Sequence, residues 1–152
     1  RKEIFERLEA TIPSNEPLIW VHAASLGEFE QGRPIIEEIK RREPTTKILL
    51  TFFSPSGYEI RKSYPLADAI FYLPADTPKN ARRLIKAINP DVAVFIKYEF
   101  WLNYLLELKK RSVPAYSVSS IFRKEQAFFK SWGGRYRLAL HCFTHLFEAC
   151  IF

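Results

Sequence analysis

The sequence predicts an α/β domain whose parallel sheet is covered by helices on both faces, the doubly wound fold class. Short apolar runs alternate along the chain with longer amphipathic stretches, and most runs are apolar nearly throughout. Parallel strands buried on both faces have that composition, and repeated strand–helix alternation is typical of doubly wound folds. The 152 residues contain no internal repeat, low-complexity segment or interdomain linker, so we expect one domain over residues 1–152.

Each apolar run has the length of a strand and is predicted to be one. The predicted strands are 18–24, 47–53, 69–74, 91–98, 114–120 and 145–150. The stretches between them have the length of helices, and the charged start of the chain, "RKEIFERLEA", is also typical of a helix. The predicted helices between strands cover about 28–42, 57–64, 78–89, 100–111 and 124–140.

Proline and cap residues mark the boundaries of these predicted helices. Pro44, Pro90 and Pro114 follow helices, at places where a proline cannot continue the helix. Asp76 or Thr77, just ahead of another proline, is suited to be an N-cap with proline in the first turn. The boundaries therefore agree with the alternation of apolar and amphipathic stretches.

Composition and charge restrict the class of protein. The formal net charge is +6, from 23 basic and 17 acidic residues, which suits acidic partners such as phosphorylated ligands, anionic lipid or nucleic acid. No apolar run approaches the ~20 residues needed to span a bilayer, and the chain does not start with a signal peptide. It contains no methionine, so we expect it to be a piece of a longer protein. Cys142 and Cys150 do not suggest a disulfide framework, which favours a reducing compartment.

The fold class itself indicates where a ligand would bind. In doubly wound sheets ligands lie outside the carboxyl ends of the strands, among the loops that lead into helices. Each such loop here carries polar or charged groups directly after a predicted strand. The loops are "ASLGE", "SPSGYE", "PADTP", "KYEFW" and "SSIFRKE".

The first of these loops leads into Glu28. Backbone N–H groups around Ser25 and Gly27, near a helix start, favour an anion. Glu28 itself stands in the first helical turn, where the macrodipole stabilises a negative charge. It is either an ordinary acid matched to the dipole, or a general base for a substrate hydroxyl within hydrogen-bond reach. The chain has no GxGxxG fingerprint, which counts against an ordinary dinucleotide site.

Two further loops carry candidate ligand-binding groups. Ser54, Ser56 and Gly57 are suited to a turn and a helix cap, and their place at a strand end also makes them candidates to bind phosphate or sugar. Lys97 and Glu99 interrupt an apolar strand at its end, among aromatic residues. They are either a surface ion pair of little energetic value or part of a site.

A basic and aromatic stretch near the end of the chain, "SSIFRKEQAFFKSWGGRYR" over 119–137, leaves three interpretations open. It is an amphipathic helix with a solvated basic face, a surface that meets anionic lipid, or a nucleic-acid stacking surface. The nearby set of His141, Cys142, His145 and Cys150 matches no established zinc spacing. We interpret those four as structural residues.

Several of these segments, taken in order, resemble one enzyme family. The segments are "HAASLGEFEQGRPIIEEIK", "ILLTFFSPSGYE", "FYLPADTPKNARR", "KYEFWLNYLLELKKR" and "SSIFR". They are similar to the N-terminal half of the Kdo transferases, which attach 3-deoxy-D-manno-octulosonic acid (Kdo) to lipid A precursors in Gram-negative bacteria. The resemblance runs from about residue 17 to the end of the chain.

The resemblance implies an architecture and a reaction. These enzymes have the GT-B fold, in which two Rossmann-like domains face a cleft. The N-terminal domain holds the acceptor, and the C-terminal domain holds the donor CMP-Kdo. The family uses no metal or other cofactor and inverts the anomeric centre of the donor. A membrane-associating segment normally precedes the N-terminal domain. The resemblance thus implies that this chain is the acceptor-binding domain without that segment and without the donor domain, and that it is inactive alone.

The resemblance also assigns roles to the candidate residues. The family's catalytic base is the glutamate of its S-x-G-E motif, which is Glu28 here. One carboxylate base with direct attack by the acceptor gives inversion, as in inverting glycosidases. The remaining residues are implied to shape the base or bind substrate. They are Ser25, Gly27, Lys97, Glu99, Ser54, Ser56, Gly57 and Arg123.

Partners and location follow from the same resemblance. The implied partners are the lipid A precursor, CMP-Kdo and an anionic membrane surface, without nucleic acid, at the cytoplasmic face of the inner membrane. The basic and aromatic stretch then favours a membrane surface, because the acceptor is an amphiphile. Two other interpretations are kept: half of a different GT-B glycosyltransferase, and a non-catalytic module that binds anionic lipid. Position in a helix's first turn further predicts that Glu28 is stabilised in its ionised form and so weakened as a base.

Overall fold

A computed structural model of the chain describes residues 2–12, 16–97, 99–120 and 133–148. Within these residues one parallel sheet runs through the domain in the order β3-β2-β1-β4-β5-β6. Its strands are β1 (Leu18–His22), β2 (Lys47–Phe52), β3 (Ala69–Tyr72), β4 (Val92–Ile96), β5 (Ala115–Ser120) and β6 (His145–Glu148). Each predicted strand is confirmed, with ends that differ by a few residues.

Helices connect the strands and cover both faces of the sheet. They are α1 (Lys2–Thr11), α2 (Leu26–Arg42), α3 (Pro55–Arg61), α4 (Pro78–Ile88), α5 (Leu102–Lys110) and α6 (Gly134–Leu140). One core lies between the sheet and α1, α4, α5 and α6 and includes Trp20 and Leu84. The other lies under α2 and α3 and includes Phe29 and Ile36. The doubly wound α/β class is therefore confirmed.

Local capping explains where α4 begins and ends. Thr77 is its N-cap, in extended conformation, and accepts a hydrogen bond from the Asn80 N–H at 3.2 Å. Asn89 ends the helix in the left-handed conformation, and its N–H donates to Ile85 O. Of the two N-cap residues that the sequence allows, Thr77 is therefore the one used.

The central pair of strands defines the crevice where a ligand would bind. β1 pairs with β2 on one side and with β4 on the other. The chain passes from β1 to β2 but from β4 to β5, so the connections leave these two neighbours in opposite directions. This divergence is a topological switch point, and ligands of doubly wound sheets bind at its carboxyl end. The loops that follow β1 and β4 are therefore the ones to inspect.

Candidate active site

Glu28 lies at the switch point, in the first turn of α2. The helix begins at Leu26, two residues earlier than predicted, with Ser25 as its N-cap. The Glu28 carboxylate turns back and accepts a hydrogen bond from the Ser25 N–H at 3.1 Å. This contact is one half of a capping box, which fixes the carboxylate at the helix start. Gly27 lies in the helix, exposed, and nothing is within 4 Å of where a Cβ would be.

The surroundings raise the pKa of Glu28 above its ordinary value. Partial burial is the largest cause, and the negative charge of Glu99 adds to it. Hydrogen bonds from the backbone of Ala24 and Ser25, and the positive charge of Lys97, lower the pKa but do not cancel the rise. The sequence predicts a carboxylate that the helix start weakens as a base. The helix-start effect is present as predicted, but burial and Glu99 outweigh it, so the net pKa is raised, and a higher pKa makes a better base for a hydroxyl proton.

Lys97, the residue directly after β4, has a backbone conformation that few lysines adopt. Its φ of 62° lies in the left-handed region, which costs about 1–3 kcal/mol for a residue with a side chain. Contacts to β5 hold it there, because the Lys97 N–H donates to Val118 O at 2.7 Å. The hydroxyls of Ser117 and Ser120 donate to the Lys97 carbonyl at 3.2 and 3.0 Å. Such a supported outlier at the end of a central strand is the kind of strain found at functional sites.

Glu99 lies beside this turn and has two aromatic neighbours, one of which forms a hydrogen bond to it. The Trp101 indole Nε1–H donates to Glu99 Oε2. Nε2 of His22 lies 3.3 Å from the same oxygen. The charges of Lys97 and Glu99, in the loop after β4, thus act electrostatically on Glu28, which follows the loop after β1. The structure brings these three predicted site residues together.

The loop after β2 joins the site through backbone hydrogen bonds. The Ala24 carbonyl accepts from the amides of Ser54 at 2.7 Å and Phe53 at 3.3 Å. Ser54 is the N-cap of α3, and its hydroxyl accepts from the Ser56 N–H at 3.3 Å and lies 2.9 Å from the Ser56 hydroxyl. Ser54 therefore lies near the loop that leads to Glu28, and it also caps α3.

Gly57 is accounted for by packing. It is buried in α3, and a Cβ there would lie 2.3 Å from the Phe52 ring. The role implied for Gly57 in substrate binding stays a prediction.

Three other predicted features lie away from this cluster or outside the described residues. In the loop after β3, the Asp76 carboxylate accepts from the Asn103 N–H at 3.1 and 3.3 Å, so it caps α5. Residues 121–132 of the basic and aromatic stretch, which include Arg123, fall outside the described residues. Among the residues described, no group of three or more His, Cys, Asp or Glu side chains could hold a metal ion. The same residues include no helix long and apolar enough to cross a membrane.

Sequence reasoning missed two residues of the site. His22 is fully buried at the end of β1, with Nδ1 2.9 Å from the Thr51 hydroxyl. Phe53 is 53% exposed, and its ring centroid lies 4.9 Å from that of Trp101. Each stands at the carboxyl end of a central strand, which is the same feature of the sequence that makes Glu28, Lys97 and Glu99 candidates. An imidazole inside an apolar run and a phenyl group exposed after one are both unexpected there.

This arrangement suits proton removal from a neutral nucleophile. A partly buried carboxylate with a raised pKa stands in a crevice, with a lysine and a second carboxylate alongside. The geometry provides one base, and the two neighbouring charges pull its pKa in opposite directions.

Solved structures with the same fold include sugar-nucleotide enzymes. MurG of Acinetobacter baumannii matches with a TM-score of 0.62 at 8% identity, over 90% of this chain and 42% of that one. A putative UDP-N-acetylglucosamine 2-epimerase from Listeria monocytogenes also gives 0.62, at 10% identity, over 88% and 39%. At these identities the likeness shows the fold alone. The fold is that of one Rossmann-like domain of the GT-B glycosyltransferase class.

The particular family follows from sequence comparison. Residues 2–149 match the family described as 3-Deoxy-D-manno-octulosonic-acid transferase (kdotransferase), and the chain belongs to this family as its N-terminal domain. A relative so named from Aquifex aeolicus is 36% identical over 109 residues, which cover 70% of this chain and 30% of the relative. Another, from Haemophilus influenzae, is 33% identical over 98 residues, covering 63% and 23%. The chain thus spans less than a third of the length of these relatives.

Proposed function

We propose that this chain is the acceptor-binding domain of an inverting glycosyltransferase that moves Kdo from CMP-Kdo to the lipid A precursor. The reaction belongs to the assembly of the lipopolysaccharide core and uses neither a catalytic metal nor another cofactor. Glu28 is the catalytic base. Membership of the family supports the proposal, and so do relatives named 3-deoxy-D-manno-octulosonic acid transferase.

One observation carries the role of the base. Glu28 is partly buried at the topological switch point, and its pKa is raised by burial and by Glu99. A sugar hydroxyl is a weak nucleophile until its proton is removed. As the acceptor oxygen forms its bond to the anomeric carbon, Glu28 takes the hydroxyl proton and the bond from that carbon to the CMP phosphate breaks. CMP leaves as a stable anion, and attack from the face opposite to it inverts the centre.

Positive charge near the base suits the anionic groups of these substrates. Lys97 is close enough to Glu28 to affect its pKa, so it would also meet a phosphate of the acceptor or the Kdo carboxylate. Ser25, Ser54 and Ser56 supply hydroxyls along the same edge, and Glu99 holds the second negative charge. Arg123 is proposed to add a further cation on the basis of the family resemblance.

The decisive experiment replaces Glu28 in the complete transferase. Glu28→Gln keeps the side chain's shape but removes its ability to take a proton, so we expect kcat to fall about 10²–10⁴-fold. Glu37→Gln is the matched control, since Glu37 is on the same helix, half exposed, and 3.7 Å from Arg33. Near-normal turnover of the Glu28 variant, with an unchanged thermal unfolding curve, would remove Glu28 from the mechanism. Loss of activity in both variants would point to damage to α2.

The same assay tests the donor and the alternative functions. Transfer from CMP-Kdo that persists with a metal chelator is expected. Consumption of a UDP-sugar instead would make the chain half of a different GT-B enzyme. A complete protein that transfers neither sugar but binds anionic vesicles would be a lipid-binding module.

Location at the cytoplasmic face of the inner membrane is part of the proposal, because the acceptor is an amphiphile. Exposed cations on α4 support it. Lys79, Arg82 and Lys86 lie on one side of that helix at positions spaced by three and four residues. None of the three forms an ion pair with another described residue, so they are suited to lipid phosphates.

A further inference from the structure

His22 occupies a fixed place behind the candidate base. Its side chain has no exposed surface. The ring meets Trp101 edge-on with centroids 5.3 Å apart, and Phe95 with centroids 6.0 Å apart. Its two nitrogens face different partners, with Nδ1 at the Thr51 hydroxyl and Nε2 at Glu99. The aromatic contacts therefore hold each nitrogen on its own partner.

The hydrogen bonds at Thr51 favour one tautomer of this imidazole. The Trp20 indole N–H donates to Thr51 Oγ1 at 2.8 Å, and an indole can only donate. The hydroxyl of Thr51 has one proton to give, and the described hydrogen bonds offer it one acceptor, His22 Nδ1 at 2.9 Å. With Nδ1 as that acceptor, the polar hydrogens of Trp20 and Thr51 both have a partner, and the neutral imidazole carries its proton on Nε2. The opposite tautomer would leave the Thr51 proton without a described acceptor and would place an unprotonated Nε2 against the Glu99 carboxylate.

That proton points at Glu99. Nε2 lies 3.3 Å from Glu99 Oε2, but the pair does not form a hydrogen bond, so the buried nitrogen lacks a directed partner. A buried donor without a partner is costly, and catalytic hydrogen bonds often tighten only when substrate binds. Glu99 is also the neighbour that acts electrically on Glu28. A small rotation of the Glu99 carboxylate would complete the bond to His22.

We infer that His22 is a positioning residue for the proposed reaction, with Nε2–H holding the Glu99 carboxylate at its place beside Glu28. The inference rests on the proposed function, because it gives His22 a role through the base. His22 touches no substrate. From its buried position, it determines where the Glu99 carboxylate lies.

The first test is a spectroscopic one that requires no activity. In the chain labelled with ¹⁵N at histidine, long-range ¹H–¹⁵N spectra distinguish an Nδ1–H from an Nε2–H imidazole at mildly alkaline pH. The chain has three histidines, and His22→Gln removes one signal and so assigns it. A proton on Nε2 supports the inference, and the Nδ1–H tautomer overturns it.

The second test uses two amides of different reach in the complete transferase. Glutamine places its amide near the position of Nε2 and can still donate to Glu99, whereas asparagine reaches only the position of Nδ1. We expect His22→Asn to lower kcat about ten- to hundredfold, with KM within about twofold of the wild-type value. His22→Gln should recover most of that loss, although the two variants unfold at similar temperatures. Equal loss in both variants, or a change in KM alone, would overturn the inference.

The two tests also separate this inference from the proposed function. If Glu28→Gln retained activity, the proposed base would be wrong, but the tautomer of His22 would still be decided by its spectrum. If Glu28→Gln were inactive and His22→Asn were fully active, the function would stand and the role of His22 would fall.

Discussion

At the scale of single residues, the surroundings of Glu28 matter more than its position in the helix. The helix start lowers its pKa through backbone hydrogen bonds, as the sequence predicts. Burial and Glu99 act in the opposite direction and prevail. Neither is visible in the sequence, because both depend on how the loop after β4 folds back against the loop after β1. The local signal was therefore correct in kind, and the tertiary contacts reversed its outcome.

Two substitutions should move the pH dependence of the proposed reaction in opposite directions. The base is active when ionised, so kcat/KM falls as the pH drops through the pKa of Glu28. Glu99→Gln removes a charge that raises this pKa, and the acidic limb should shift to lower pH. Lys97→Met removes a charge that lowers it, and the limb should shift to higher pH. The measurement is the pH profile of kcat/KM for the complete transferase.

The direction of each shift is the readout, whatever the loss of absolute rate. Shifts of the same sign in the two variants would contradict the electrostatic account of the site. An unchanged limb in both would show that another group titrates. Glu37→Gln should leave the acidic limb of the pH profile at the same pH, because Glu37 is not one of the residues that shift the pKa of Glu28.

Two glycines of the site should respond differently to the same substitution. Gly27→Ala adds a methyl group into open space within a helix, so we expect a gain of about 0.4–1 kcal/mol in the free energy of unfolding. Gly57→Ala pushes a methyl group into the Phe52 ring and should cost about 1–3 kcal/mol. Chemical denaturation of the chain measures both. A Gly27 variant that is more stable but less active would show that the ligand needs that space, whereas destabilisation would contradict the open geometry.

At the scale of elements, a helix start could be predicted where the capping residue adjoins the helix in sequence. It could not be predicted where the cap comes from a distant part of the chain. Thr77 caps its own helix and is readable from the sequence. The N-terminus of α5 begins after Trp101, which makes no side-chain cap. Its cap comes instead from Asp76 on the loop after β3, which a local pattern does not reveal.

The distant cap of α5 leads to a prediction about stability. Asp76→Ala removes the acceptor for the backbone N–H of Asn103 and should lower the free energy of unfolding by about 1 kcal/mol. Asp76→Asn keeps an oxygen acceptor and should retain most of the stability. Denaturation of both variants beside the wild type measures the difference. Equal loss in the two variants would show that the negative charge matters rather than the hydrogen bond.

The candidate site was also predictable only in part, because the sequence shows which loops carry its residues but not which residues meet in space. The rule that ligands gather at the carboxyl ends of parallel strands pointed to the loops of Glu28, Lys97 and Glu99 from the strand pattern alone. That rule names loops, and it does not say which strands are neighbours. His22 was missed because its partner, Glu99, is distant in the sequence and is brought beside it only by the topology.

At the scale of the whole molecule, positive charge is distributed unequally over the two helical layers. Cations on α2 and at the end of α3 are paired with nearby acids, as Arg41 and Arg42 are with Glu38. α4, on the other face of the sheet, contains no acidic residue. Among the described residues, the cations Lys79, Arg82 and Lys86, which form no ion pair with another described residue, therefore lie on that second layer, whereas much of the charge on the first is neutralised.

This asymmetry predicts how the chain binds anionic vesicles. Lys79→Gln, Arg82→Gln and Lys86→Gln together should weaken co-sedimentation with vesicles rich in anionic lipid, because each lost cation near the surface is worth about 1 kcal/mol. The matched control removes the same number of cations, Arg41, Arg42 and Lys62, all of which are paired with glutamates. We expect the control to bind nearly as the wild type does, and binding of the wild type to fall with added salt. Equal loss in both triple variants would mean that net charge, rather than the α4 surface, governs binding.

The Ala24 carbonyl, which accepts from the amides of both Phe53 and Ser54, has a consequence for hydrogen exchange. Loop amides normally exchange quickly, because loops open without disturbing the rest of a protein. To expose the Ser54 amide, however, the loop after β2 must separate from Ala24, in the loop that leads into the helix of Glu28. Slow exchange at Ser54, close to the rate of the central strands, would therefore report that the base loop is rigid before any substrate arrives.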